Sequence, residues 1–169
     1  MTLATVVSDT GPFISLEKLS MGSRWIQQLY GQILIPSTVA LELYQGMFSS
    51  WDSYRNYYDL QSFIVIVEIT DATTFLGYER LDIGDRQAIQ LAWQRGLPLL
   101  IEEEQGRQVA QALGLELSGM AGQIVKAYRS QILSLTTAQT SLAELLKAGR
   151  IGKRLYAGLL EALQLYKAI

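Results

Sequence analysis

A chain of 169 residues, 49% hydrophobic and 18% charged, suits one compact unit and is long enough to bury a core. It contains neither cysteine nor histidine, which excludes disulfide frameworks, thiolate nucleophiles, Ser-His-Asp triads and zinc sites of sulfur and imidazole. Its net charge of −2 does not advertise a polyanion partner, and no apolar run nears the ~20 residues of a membrane span. No basic leader with an apolar core precedes the first apolar run, so a cytoplasmic location is expected. Acid–base work falls to carboxylates, lysine, tyrosine or a cation-activated water, and hard oxygen ligands favour magnesium or manganese.

In chain order, Val6 and Val7 continue an apolar run from Leu3, Asp9 follows, and Thr10-Gly11-Pro12 makes a turn. Phe13, Leu16 and Leu19 then recur at helical spacing. The reading is strand, sharp turn, helix. An acid at the carboxyl end of a parallel strand stands where open sheets bind ligands. Taken singly, Asp9 is better explained as a helix cap.

Ser23 to Tyr30 reads as a second short helix, with Trp25, Ile26 and Leu29 on one face and Gly31 ending it. Gln32 to Ile35 is a short strand stopped by Pro36. Ser37 or Thr38 starts a helix bearing Val39, Leu41, Glu42 and Leu43, closed by Gly46. Phe48, Trp51, Tyr54, Tyr57 and Tyr58 suit an amphipathic helix, better explained by core or subunit packing than by base stacking. Phe63 to Val67 is a β-branched strand, added to the sheet or at its edge. Thr73 to Arg80 reads as a helix. Gly84 and Asp85 open the next, which runs through Ala88, Ile89, Ala92 and Trp93 to Gly96. Pro98 to Ile101 is a strand ending in Glu102, Glu103 and Glu104. Gly106 to Leu113 is a helix with Arg107 in its first turn, and Leu115 to Leu117 a last strand. Met120 to Gln131 is helical, and Thr140 to Lys147 and Gly152 to Ala168 form a C-terminal helical pair. Such alternation argues a parallel sheet covered by helices on both faces.

Right-handed crossovers bring the carboxyl ends of parallel strands to one edge, where Asp9, Glu42, Asp85, Glu102 and Glu103 can meet. Each has an ordinary account: Glu42 a solvated helix face, Asp85 a cap, Glu102 to Glu104 a charge run suited to a helix N-terminus. Together they resist that account, because gathered carboxylates repel without a counter-charge. A divalent cation supplies it, polarises a phosphoryl oxygen and turns water into a nucleophile, so phosphodiester hydrolysis is the matching reaction. Neither a GlyXaaGlyXaaXaaGly fingerprint nor a P-loop is present. Lys126 and Arg129 on one helix, and Lys147, Arg150, Lys153 and Arg154 in the tail, are candidate phosphate contacts or equally a solvated helix end.

The segments Ser8-Asp9-Thr10-Gly11-Pro12, Ile35 to Leu43, Leu81 to Ile89 and Leu99 to Arg107 resemble, in order and spacing, the successive motifs of PIN domains. The tail resembles the helical extension of an uncharacterised bacterial PIN subfamily, and the likeness covers nearly the whole chain. It implies a three-layer α/β/α sandwich with a central, mostly parallel sheet, over 1–135, and a helical extension over 136–169 packed on the same domain. It implies Asp9, Glu42, Asp85 and Glu103 as catalytic acids and metal ligands, with Glu102 beside them. Thr10 would support the site through its hydroxyl, Arg107 would touch a phosphate, and Gln87 stands where a further acid is common. The activity implied is a magnesium- or manganese-dependent endoribonuclease, as in VapC-like toxins held by a small antitoxin, with RNA as substrate and a homodimer built on the Phe48 to Tyr58 segment. The chain departs from the family in using the longer Glu102-Glu103 where aspartates are usual, and Gln87. Those departures motivate the alternative, a weakened PIN-like module that binds RNA or protein without cleavage.

Overall fold

The computed structural model describes residues 3–70, 78 and 80–167. Five strands, β1 (Ala4–Ser8), β2 (Tyr30–Pro36), β3 (Ile64–Val67), β4 (Leu99–Leu100) and β5 (Leu117–Ser118), form one sheet of order β3-β2-β1-β4-β5. Every neighbouring pair is parallel. The helices are α1 (Thr10–Glu17), α2 (Ser37–Tyr44), α3 (Trp51–Tyr57), α4 (Ile83–Arg95), α5 (Glu104–Ala112), α6 (Met120–Arg129), α7 (Leu135–Lys147) and α8 (Lys153–Lys167). The chain fills one side of β1 first and then crosses to the other, so the order reverses between β1 and β4. In such sheets that reversal opens a crevice at the strands' carboxyl ends.

Successive strand residues point to opposite faces, and each face has its own core. Val6, Ile33, Ile35 and Leu100 pack with Phe13 of α1, Ile124 of α6, Leu142 and Leu145 of α7 and Leu163 of α8. Val7, Leu34, Leu99 and Ile101 pack with Ala88, Ile89 and Ala92 of α4 and Ala110 of α5. The result is the α/β/α sandwich that the alternation implied. Burial of each large aliphatic side chain contributes ~1.5–3 kcal/mol.

Several boundaries differ from the sequence reading. Of Ser23 to Tyr30, a single 3-10 turn (Ile26–Gln28) forms, and Tyr30 and Gly31 already belong to β2. Gly31 ends no helix: it leaves room for the first strand's approach, since a Cβ there would meet Leu3 Cβ at 3.2 Å and Leu3 O at 3.3 Å. β5 lies at Leu117–Ser118 rather than Leu115 to Leu117. α7 starts at Leu135, before Thr140, because the Ser134 hydroxyl accepts from Thr137 N at 3.1 Å and caps it. β3 is an edge strand. Most of the helix expected over Thr73 to Arg80 lies outside the described residues. Tyr54 is buried, its ring 5.4 Å from Phe48 and 5.0 Å from Tyr58, as the packing account of the aromatic segment requires. No helix among the described residues is long and apolar enough to cross a membrane.

Because α7 and α8 share their core with β1 and β2, Leu142→Ala should lower stability by ~2–5 kcal/mol while calorimetry still shows one transition. A separate early melting of the C-terminal helices would contradict the shared core.

Candidate metal centre

β1 ends at Ser8, so the next residue, Asp9, stands at the crevice, and its backbone N donates to Leu100 O of β4 at 2.9 Å. Glu102 and Glu103 follow Ile101 directly. α2 leaves the end of β2 and presents Glu42, and the first turn of α4 presents Asp85 with Asp82 before it. Asp9, Glu42, Asp82, Asp85, Glu102 and Glu103 line one cavity of about 390 Å³, together with Thr10, Gly11, Ile14 and Arg150. Six carboxyl groups therefore face one guanidinium.

Asp9 and Asp85 are 3% and 6% exposed, and their carboxyls hydrogen-bond to each other. Two carboxyls bond to each other only through a shared proton. Burial, foremost, pushes Asp9 above the ordinary carboxylate range. Burial, then the bond to Asp9 and the charges of Asp9, Glu103 and Asp82, pushes Asp85 up to about 8. Glu42 is raised too, first by burial and then by the charges of Asp82 and Asp85. The Thr10 hydroxyl donates to Glu42 Oε2. Gly84 makes room for that carboxylate: a Cβ there would stand 2.6 Å from Glu42 Oε1.

A family model described as a PIN domain matches residues 5–165. The chain belongs to the PIN domain family. A solved structure, a PilT N-terminus domain protein from the hyperthermophilic archaeon Sulfolobus solfataricus, is similar in fold at a TM-score of 0.52 and 14% identity, covering 74% of this chain and 93% of that one. No curated protein matches the sequence. PIN domains have a nuclease-type fold and generally use divalent metal ions.

The donor set of this PIN domain suits such an ion: hard carboxylate oxygens, two of them on the buried acids Asp9 and Asp85. Among the described residues, no group of three acidic side chains is set to hold an ion as it stands. Two of the six acids are engaged by the protein itself. Glu103 caps α5, its carboxylate accepting from Gly106 N at 2.8 Å. Glu102 accepts from Met120 N at 3.0 Å on one oxygen, and from the Ser15 hydroxyl at 2.7 Å and Arg150 Nη2 at 2.8 Å on the other. Glu102 was expected beside the metal ligands. It lines the cavity, but its carboxylate is committed to donors from α1, α6 and the α7–α8 turn.

Two other expected residues lie off the cavity. Arg107 donates from Nη1 to Ile101 O at 2.8 Å and lines a neighbouring cavity of about 360 Å³ that shares Glu102 and Arg150 with the first. Gln87 accepts from the Thr38 hydroxyl at 2.7 Å, tying α4 to α2, so the amide holds together the helices that carry Asp85 and Glu42. Lys126 donates to the Tyr30 hydroxyl at 3.1 Å, at the start of β2 and away from the acids, and Arg129 lies 5.7 Å from the Tyr166 ring. Sequence reasoning did not single out Asp82 or Ser15, and it left Arg150 within a basic run. Asp82 had a signal, three residues before Asp85 at a helix start. Ser15 had none, inside an apolar helix face.

Folded Asp85 keeps a proton that the unfolded chain, with a carboxyl near ~3.9, gives up. Its contribution to stability is intact below about pH 4 and is lost progressively as the pH rises toward about 8. Asp85→Asn should therefore raise the stability of the metal-free protein at pH 8 by ~1–3 kcal/mol and flatten its decline above pH 4. Identical thermal melting of the two proteins at both pH values would refute this.

Proposed function

We propose that this PIN domain is a magnesium- or manganese-dependent endoribonuclease that hydrolyses RNA phosphodiesters. The observation that supports it is the gathering of Asp9, Glu42, Asp82, Asp85 and Glu103 around one cavity at the sheet's reversal point, with Asp9 and Asp85 held together by a proton. Asp9, Asp85, Glu42 and Glu103 would hold the ion. When bound, the ion would polarise a phosphoryl oxygen and acidify water. Thr10 orients Glu42 by its hydroxyl, and the bare Gly84 backbone keeps that carboxylate seated. The Asp85 proton has to leave before Asp9 and Asp85 can both offer charged oxygens. The family supports a toxin role with a small antitoxin as partner, acting in the cytoplasm. A homodimer would form on the Phe48 to Tyr58 segment, where Tyr57 is exposed.

Asp9→Asn removes one ligand charge at unchanged size. Manganese-dependent RNA cleavage by that variant should fall at least ~100-fold, ~2.7 kcal/mol in the barrier, with folding retained. Cleavage at the wild-type rate would remove this mechanism.

A second reading, an RNA- or protein-binding module without turnover, is favoured by the engagement of Glu102 and Glu103 in structural hydrogen bonds. Titration calorimetry with manganese separates the two. Binding that Asp9→Asn or Glu42→Gln abolishes supports the nuclease, and the absence of any binding supports the module.

A further inference from the structure

Arg150 sits in the turn between α7 and α8 and is the one basic side chain lining the acid cavity among the described residues. Three of its contacts fasten it from one side. Nε donates to the Ser15 hydroxyl at 2.8 Å, and Nη2 donates to Gly11 O at 3.1 Å and to Glu102 Oε2 at 2.8 Å. Nη1 makes no hydrogen bond with a described residue, and the side chain keeps 27% of its surface exposed. An arginine serving only as an anchor for Glu102 would present its whole fork to the carboxylate. Arg150 therefore lines the cavity as a charge held in place by other residues.

We propose that Arg150 binds a phosphate oxygen of a single-stranded RNA, so that the C-terminal helices complete the site that the strand ends begin. The proposal rests on the ribonuclease reading above. A cavity lined so heavily by acids repels a polyanion, and substrate approach needs a cation at the same place. The Glu102, Ser15 and Gly11 contacts hold the guanidinium in place beforehand, which lowers the ordering cost of binding. Arg150 also borders the second cavity, where Arg107, Ser118 and the apolar side chains of Leu117, Leu155 and Leu159 stand. A strand passing from the acids over Arg150 enters that space, with one more arginine for a phosphate and an apolar wall for a sugar or base.

Removing Arg150 alone leaves Glu102 charged and half-enclosed, and the protein then risks misfolding. The informative variant therefore removes both partners, Glu102→Gln with Arg150→Met. Two measurements are made on the full chain: the affinity for a short single-stranded RNA in EDTA across a salt series, and KM and kcat with manganese. The folded double variant should bind about tenfold more weakly, with a log–log salt slope shallower by ~0.7, the loss of one phosphate contact on a single strand. KM should rise more than kcat falls. Arg150→Lys should recover the salt slope but only part of the affinity, since the charge returns without the fork. Unchanged affinity and slope in the folded double variant would overturn the proposal while leaving the nuclease reading standing. A wild-type protein that neither binds nor cuts RNA would overturn both.

Discussion

The hydrogen bond between the Asp9 and Asp85 carboxyls follows from how the chain is wound. β1 is the central strand, and the order of the sheet reverses beside it, so the residue after β1 opens onto the crevice between β1 and β4. α4 packs on the face formed by Val7, Leu34, Leu99 and Ile101, and that packing delivers its first turn to the same crevice. Two acids are thus brought together by apolar burial some distance away from them. Their proximity is a cost set by the core, and the upward shift of both carboxyls expresses it.

A second arrangement handles the acid at the end of β4. Glu102 is surrounded by donors on α1, at the start of α6 and in the α7–α8 turn, and it ties these elements to the sheet. A carboxylate with that many donors has both oxygens engaged without any added ion. The same edge of the sheet therefore holds two kinds of acid: those satisfied within the protein, and those whose charge is left for something else to neutralise. Two bare backbones shape this edge. Gly84 seats Glu42, and Gly106 lets the start of α5 press on Ile101, where a Cβ would stand 2.6 Å from Ile101 Cδ1.

The alternation of elements was legible because the longer strands are apolar runs bounded by turn residues and α5, α6, α7 and α8 carry 3.6-residue apolar stripes. Asp9 was legible as a strand-end acid because Thr10-Gly11-Pro12 marks the turn. What stayed hidden depends on partners remote in the chain. The donors that occupy Glu102 lie 87, 18 and 48 residues away, and nothing in the Glu102-Glu103-Glu104 run separates the anchored acid from the helix cap beside it. Gly31 looked like a helix end because its contact with Leu3 is a tertiary fact. The start of α7 was missed because Ser134 lacks the glutamate three residues on that completes a capping box. Arg150 was lost among Lys147, Lys153 and Arg154, which share its charge but not its contacts.

Arg150 is also the last of the cavity-lining residues in chain order. On a ribosome, the nascent polypeptide acquires all six acids before the guanidinium that offsets one of them emerges. Until that moment Glu102 lacks its ion-pair partner, and α8, which follows Arg150 in the chain, is not yet there to cover α6. Synthesis itself thus imposes an order: the acids are gathered first, and the cavity's own cation arrives only with the closing turn of the chain.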